Sequence, residues 1–167
     1  TLLMATTING YIAGVDDDTN WVKDTEVLYE TIENLGIVLL GKRTYEECMK
    51  FEAFPYKGAL NIVMTHDKKL LKQSTEKVIY TDKTPQAVLK IAEEKGFETI
   101  LLIGGGHING SFIKEGLIDE IILDIHPYLK AKGIRLFESE FSDLHLELVS
   151  SKEINDQIVQ ITYKIIK

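Results

Sequence analysis

The sequence is poor in cysteine, proline and tryptophan, with one, three and one of them in 167 residues. The lone Cys48 excludes an intramolecular disulfide and a cysteine-based metal site, and its helical surroundings predict a packed thiol. No apolar run approaches the roughly 20 residues that span a bilayer, and no secretory signal pattern occurs. We therefore expect a cytoplasmic protein with no membrane contact.

An excess of basic residues is also lacking, because 19 Lys and Arg stand against 26 Asp and Glu and give a formal net charge of -7 at pH 7. This balance argues against a broad nucleic-acid surface, so we expect no nucleic-acid partner. Hydrophobic residues make up 44% of the chain and charged residues 27%, which is typical of a globular protein. With no internal repeat, low-complexity tract or linker, the sequence predicts a single domain over residues 1–167.

Metal-binding patterns are absent as well. The acidic run at residues 16–18 lacks the twelve-residue calcium-loop pattern, and the four histidines are scattered. His126, which precedes a proline on a predicted strand, is interpreted as a packed or capping histidine. We predict no metal site.

Short β-rich runs alternate with helical stretches, which predicts an α/β fold with a mixed sheet. The predicted strands cover residues 2–8, 11–14, 37–40, 60–65, 78–81, 99–103, 120–125, 144–150 and 157–166. The last three have no helix between them, so we expect an antiparallel edge at the C-terminal end. The predicted helices start at Asp24 or Thr25, at 45, after Thr84-Pro85 and at 108, and the first, third and fourth end at Gly36, Gly96 and Gly116.

The strongest functional signal is the glycine run Gly104-Gly105-Gly106 between an apolar strand and a helix. Backbone N–H groups and the helix dipole at such a junction suit an anion such as a pyrophosphate. The spacing is not the dinucleotide fingerprint of the Rossmann fold, and a purely structural tight turn remains an alternative.

Two further junctions strengthen this interpretation. Lys42 and Arg43 stand at a helix start, where cations oppose the helix dipole, so either a bound anion or simple surface exposure accounts for them. Thr65-His66 ends the next strand. Because ligands collect at the carboxyl ends of strands in α/β sheets, we expect the three junctions to converge on one elongated, phosphate-bearing ligand.

Taken together, these segments resemble the dihydrofolate reductase-like superfamily, above all the C-terminal reductase domain of the riboflavin-pathway deaminase-reductase. The resemblance covers nearly the whole chain, through the motifs MATTINGYIA (4–13), LGKRTYE (40–46), IGGG (103–106), NGSF (109–112), GLIDEI (116–121) and PYL (127–129). It implies a three-layer domain with a mixed sheet of about eight strands, NADPH as the hydride donor and a pyrimidine or pterin substrate. It also implies a homodimer.

By matching positions, the resemblance implies a set of cofactor-site residues. The pyrophosphate would lie among Gly104, Gly105, Gly106, His107, Ile108 and Asn109. The adenosine-side phosphates would lie near Gly41, Lys42, Arg43 and Thr44, and the 2′-phosphate near Thr65 and His66. Ala5, Ile12 and Ala13 would border the nicotinamide, with Ile103 beside the glycines, and the substrate would meet Thr6, Asn9, Trp21 and Tyr45.

The chain also departs from this pattern. Asn9 stands where the riboflavin-type enzymes commonly carry aspartate, and Ile103 where many carry glutamate. Asp24 and Glu26 follow Trp21, and either carboxylate could orient a substrate or relay a proton, although a helix cap and a first-turn charge explain them equally well. We therefore expect an NADPH-dependent pyrimidinone reductase, with dihydrofolate reduction and a non-catalytic nucleotide-binding protein as alternatives.

Overall fold

The computed structural model describes residues 1–23, 26–50, 54–155 and 157–167. The strands are β1 Leu2–Thr7, β2 Tyr11–Ala13, β3 Ile37–Gly41, β4 Leu60–Met64, β5 Val78–Thr81, β6 Leu101–Leu102, β7 Glu120–His126, β8 Ile134–Arg135, β9 Leu146–Ile154 and β10 Ile158–Ile165. The helices are α1 Glu26–Leu35, α2 Lys42–Lys50, α3 Pro85–Glu94 and α4 Gly106–Lys114, with a 3-10 turn at Leu70–Lys72. Within these residues, no helix has the length and apolar character that a membrane crossing requires.

The main sheet has eight strands in the order β5-β4-β3-β6-β1-β7-β10-β9. The six neighbouring strands from β5 to β7 in this order run parallel to one another. Strand β10 pairs antiparallel with both β7 and β9. The mixed sheet and the antiparallel C-terminal edge are confirmed. Because the parallel strands point the same way, the loops after β3, β4, β5 and β6 gather at one edge of the sheet.

Helices cover both faces of the sheet, so the domain has three layers. Ile37 and Leu39 of β3 belong to the core cluster under α3 and α4, whereas Val38 and Leu40 belong to the cluster under α1 and α2. Each of these four side chains is completely buried, as the unbroken apolar run predicts for a central strand. Burying one such side chain contributes about 1.5–3 kcal/mol to folding.

Several predicted boundaries were wrong. The strand predicted at 99–103 is shorter, at Leu101–Leu102, and Gly104 (φ 93°) turns the chain away after Ile103. The helix predicted from 45 begins at Lys42, and the one predicted from 108 begins at Gly106. Strand β9 runs four residues past the predicted end at 150. The strand predicted at 11–14 is present as β2, but its partner β8 was not predicted, because a strand of two residues carries no periodic signal.

Other local predictions are confirmed. Thr84 caps α3 by accepting a hydrogen bond from the Ala87 backbone N–H, with Pro85 at the first position. Gly36 ends α1 with a φ of 67°. The predicted caps Asp24 and Thr25 of the first helix, and the predicted end of the second at 51, lie outside the described residues.

Candidate functional site: two adjoining cavities

A cavity of about 850 Å³, here the first cavity, lies beyond the carboxyl ends of the parallel strands. The three junctions that the sequence singled out all line it, through Gly41–Thr44, Thr65-His66 and Gly105–Ile108. The junction at Thr81–Pro85 lines it too, although the sequence had indicated only a helix cap there. The expected convergence of these junctions is therefore present in the structure.

The start of α4 gives the first cavity its anion-binding character. Gly105 is the N-cap, in an extended conformation (φ -79°, ψ -168°), and no described side chain caps the helix. The first-turn N–H groups are thus left for a ligand, and Gly105 through Ile108 line the cavity. Packing also demands glycine at Gly106, where a Cβ would lie 2.3 Å from the Arg135 carbonyl oxygen.

Gly104 and Asn109, which were predicted to contact the pyrophosphate, lie behind the residues that line the first cavity. The Gly104 carbonyl accepts a hydrogen bond of 2.7 Å from the Gly41 N–H, which ties the two glycine junctions together. Asn109 is completely buried, and its side-chain amide donates to the Leu136 carbonyl at 2.9 Å. Both residues fix the backbone that faces the cavity.

The cations at the start of α2 are paired with carboxylates. Lys42 Nζ lies 3.1 Å from Asp67 Oδ2, and Arg43 Nη2 lies 2.6 Å from Asp17 Oδ1. The hydrogen bond to Asp67 raises the pKa of Lys42, while the Lys69 backbone N–H and then Lys42 lower the pKa of Asp67. These ion pairs explain the placement of both cations without a ligand, so the anion-binding character of the cavity comes from the start of α4.

A second cavity of about 940 Å³ lies on the α1 side of the sheet. Leu28, Tyr29 and Ile32 of α1 form one wall, and Leu3 and Ala5 of β1 form another. The two cavities adjoin, because the same residues line both: Met4, Ile12, Thr19, Thr44, Glu47 and Ile103.

The residues expected at the nicotinamide lie at or beside this shared wall. Ile12 and Ile103 line both cavities, Ala13 lines the first, and Ala5 lines the second. A ligand ending against Ile12 in the first cavity would therefore face a ligand in the second.

A buried polar group in the second cavity was missed by the sequence analysis. Asp124 lines this cavity while only 3% exposed, and its Oδ1 accepts a 2.8 Å hydrogen bond from Gln160 Nε2. The available signal was the carboxylate in the interior of the strand EIILDIH, at a position where burial of a polar group needs a reason.

His126 organises the segment beside this cavity. Its Nε2 accepts the Lys23 backbone N–H at 3.1 Å, so the proton sits on Nδ1, which lies 2.9 Å from the Asp124 carbonyl. The histidine is 2% exposed, which confirms the interpretation as a packed residue.

The predicted substrate residues lie elsewhere among the described residues, and none of them lines either cavity. Thr6 is 3% exposed within β1, and Asn9 links its turn to the backbone of Lys130. Trp21 stacks on Tyr128, with ring centroids 6.0 Å apart. Tyr45 packs edge-on against Phe54 and Tyr80, a cluster in which burial raises the pKa of Tyr80.

Of the two predicted catalytic carboxylates, the structure describes only Glu26, and it does not bring Glu26 into the site. Glu26 is exposed in the first turn of α1 and, within the described part of the chain, belongs to the lining of neither cavity. Asp24 lies outside the described residues. Among the residues that the structure describes, the carboxylates that line the second cavity are Glu33, Glu47 and Asp124.

Comparison with known proteins identifies the family. Residues 1–160 match the RibD C-terminal domain family, and the chain belongs to it. An uncharacterized Bacillus subtilis (strain 168) protein, YwjB, is 28% identical over 97% of this chain and 95% of its own length.

Solved structures of related proteins share the fold of this chain. A protein from Shewanella sp. PV-4, described as a putative riboflavin biosynthesis protein, superposes with a TM-score of 0.84 at 26% identity, covering 99% of this chain and 98% of its own. A Thermotoga maritima deaminase and 5-amino-6-(5-phosphoribosylamino)uracil reductase superposes with a TM-score of 0.76 at 16% identity. That likeness covers 99% of this chain but 56% of the Thermotoga protein, and it shows the shared fold.

Proposed function

We propose that this protein is an NADPH-dependent reductase that transfers a hydride to a pyrimidinone-type heterocycle of the riboflavin pathway or a related one. The observation that carries the proposal is the pair of adjoining cavities. The first of them is lined by the uncapped N-terminus of α4, whose backbone N–H groups can bind an anion. Membership in the RibD C-terminal domain family supports it, as does the likeness to the Thermotoga protein, a 5-amino-6-(5-phosphoribosylamino)uracil reductase.

The first cavity fits the cofactor. NADPH, when bound, supplies the hydride, and the protein supplies position. The backbone N–H groups from Gly105 to Ile108 would hold the pyrophosphate, while Thr65 and His66 would lie toward the adenosine end. Ile12 and Ile103 would face the nicotinamide and keep water from the shared wall. Such chemistry relies on holding two rings in register rather than on an activated nucleophile.

Binding of NADPH to the wild-type protein tests the proposal, with nicotinamide fluorescence as the readout. We expect saturable binding in the micromolar range, and no binding at about 500 µM, a free energy of association weaker than roughly -4.5 kcal/mol, would contradict the cofactor assignment. NADPH oxidation is then followed with diaminopyrimidinone and uracil ribosylamino phosphates. Binding without oxidation of any substrate would instead favour the non-catalytic nucleotide-binding alternative.

Dihydrofolate reduction would need a pterin-binding carboxylate at the position suggested by Asp24 or Glu26. Glu26 is exposed in the first turn of α1, outside the lining of both cavities. Dihydrofolate therefore enters the substrate panel as the alternative substrate, and its reduction as fast as that of the pyrimidinones would favour that alternative.

We also propose that a second copy of the chain covers the antiparallel edge of the sheet. Strand β9 is exposed along all but its last residue, and its apolar side chains Leu146, Leu148 and Val149 are 43%, 57% and 57% exposed. Val159 on β10 extends this apolar surface at 40% exposure. A contiguous apolar surface on an edge strand is typical of an interface.

Sedimentation velocity tests this assembly. We expect the wild type to be a dimer and Leu148→Lys to be a monomer. Leu129→Lys is the matched control, because Leu129 is 68% exposed but lies in the loop after β7. A monomeric wild type, or a dimer that survives Leu148→Lys, would contradict the proposal.

A further inference from the structure

The first cavity holds an anion-binding helix start, yet it is also lined by acidic side chains. Among the described residues, the carboxylates in its lining are Asp17, Glu47, Asp67, Asp82 and Glu138. The first three form ion pairs with lysine or arginine side chains. Within the described part of the chain, Asp82 and Glu138 form no ion pair. These two carboxylates are therefore left for a ligand.

The carboxylate of Glu138 lies against the start of α4. The Glu138 backbone N–H donates a hydrogen bond of 3.0 Å to the Gly106 carbonyl, which fixes the main chain of this loop on the helix. The Glu138 Oε2 atom lies 3.3 Å from the point that a Cβ on Gly106 would occupy. No described side chain caps the helix. Glu138 thus stands beside the first-turn N–H groups and leaves them open to an anion.

The position of Glu138 along the first cavity follows from strand β8, which precedes it. Ile134 of β8 pairs with Ala13 of β2, and both residues line the cavity beside the wall that the two cavities share. From Ile134 the chain continues to Glu138 at the start of α4. Glu138 therefore lies between the wall that would face the nicotinamide and the N–H groups that would hold the pyrophosphate.

Asp82 lies at the other end of the cavity. It directly follows β5, whose last residue, Thr81, accepts a hydrogen bond of 2.8 Å from the Thr65 backbone N–H. That side of the cavity is the one assigned to the adenosine end of the cofactor. Among the described residues, Glu138 is thus the unpaired carboxylate on the nicotinamide side.

In a nicotinamide dinucleotide, the group between the pyrophosphate and the nicotinamide is a ribose with a free 2′,3′-diol. An ionised carboxylate only accepts hydrogen bonds, and two neighbouring hydroxyl groups can donate to its two oxygens. Acidic side chains bind ribose hydroxyls in this way in Rossmann-fold enzymes. A nucleotide that ends in a phosphate would instead bring a further negative charge toward Glu138, and the two charges repel each other.

We propose that Glu138 makes the first cavity selective for a dinucleotide, by accepting hydrogen bonds from the nicotinamide ribose and by repelling nucleotides that end in a phosphate. This inference rests on the proposed function, since it concerns the cofactor site of the same reductase. The N–H groups of α4 can bind any phosphate. Discrimination between a dinucleotide and a shorter nucleotide therefore comes from the side chain beside them.

Isothermal titration calorimetry with two ligands tests this role. One ligand is NADP⁺, and the other is 2′-phosphoadenosine 5′-diphosphate, which is NADP⁺ without its nicotinamide riboside. In Glu138→Ala we expect NADP⁺ to bind roughly 3- to 10-fold more weakly, the range for a lost hydrogen bond. We expect the shorter nucleotide to bind roughly 2- to 3-fold more tightly at low ionic strength, because the repulsion is removed.

The opposite directions of these two changes distinguish ligand contact from a structural role, since a disturbed helix start would weaken both ligands. Glu138 is exposed, so its truncation leaves the core intact. Glu140→Ala is the matched control, because Glu140 is an exposed carboxylate in the same loop and lies outside the lining of both cavities. This control should keep the wild-type affinities for both ligands.

The outcomes separate this inference from the proposed function. If the wild type binds neither ligand, the cofactor assignment fails and this inference fails with it. If the wild type binds NADP⁺ but Glu138→Ala changes both affinities in the same direction, or changes neither, the role of Glu138 is overturned while the cofactor assignment stands. The role is likewise overturned if Glu140→Ala produces the same changes as Glu138→Ala.

Discussion

The two cavities share a wall but are lined by different kinds of chemical group. The first presents backbone N–H groups at the start of α4 and ion pairs on its exposed rim. The second presents apolar side chains of α1 and β1, with the carboxylate–amide pair of Asp124 and Gln160. Main-chain groups recognise a phosphate whatever is attached to it, whereas a buried side chain distinguishes one ring edge from another. Under the proposed function, main-chain groups would therefore bind the pyrophosphate of the cofactor and side chains would bind the substrate.

The largest effect is expected at the glycine junction of the first cavity. In Gly106→Ala the new Cβ would lie 2.3 Å from the Arg135 carbonyl, a backbone atom that cannot move alone. We expect a loss of about 1–3 kcal/mol in the free energy of unfolding, as for other overpacked sites, together with weaker NADPH binding.

Gly105→Ala is the control for this change. A Cβ at Gly105 would lie 3.4 Å from Thr44 Oγ1, and its φ of -79° suits any residue. Urea unfolding of both variants should show the smaller loss in Gly105→Ala. Equal losses would mean that the contact with Arg135 does not set the requirement for glycine.

A comparable loss of stability, but without the loss of NADPH affinity expected for Gly106→Ala, is expected from Gln160→Leu in the second cavity. Removing the amide withdraws the donor at 2.8 Å from the buried Asp124 Oδ1, which costs about 1–3 kcal/mol. Thermal unfolding measures this loss, and the affinity for NADPH should stay at its wild-type value. A large drop in NADPH affinity would show that the two cavities are not independent.

The smallest effect is expected at the rim of the first cavity, from Asp67→Asn. The Lys69 backbone N–H and Lys42 lower the pKa of Asp67 in the folded state. The carboxylate therefore stabilises the protein above its unfolded pKa of about 3.9, and this contribution is lost as the pH falls through the lower, folded value. Since the ion pair is solvated, the contribution is small.

Urea unfolding between neutral and acidic pH checks this sign. The wild type should exceed Asp67→Asn in stability by a constant small amount at neutral pH, and the difference should disappear in acid. A difference that grows on acidification would contradict the direction of the pKa shift.

The sequence predicted what local chemistry determines. The junctions at Gly41–Thr44, Thr65-His66 and Gly105–Ile108 are visible because glycine, cations and helix starts interrupt apolar strands. The mixed sheet with its antiparallel edge followed from where helices were missing between strands. Each signal lies within a few neighbouring residues.

What escaped prediction depends on contacts between distant segments. Asp124 and Gln160 are 36 positions apart and meet only through the register of β7 with β10. Tyr45 follows the predicted motif closely, yet the side on which it leaves α2 directs it into the aromatic cluster with Phe54 and Tyr80. The pairing of Lys42 with Asp67 likewise required the loop after β4.

The central claim is that one cavity holds the nicotinamide cofactor and the adjoining one holds the heterocycle. An inter-ligand nuclear Overhauser measurement with NADP⁺ and 2-aminopyrimidin-4-one tests it directly, because the effect requires the two rings to lie close together on the same protein. We predict cross-peaks between the nicotinamide protons and the pyrimidine H5 and H6 protons. Competition between the two ligands, or simultaneous binding without cross-peaks, would contradict the account.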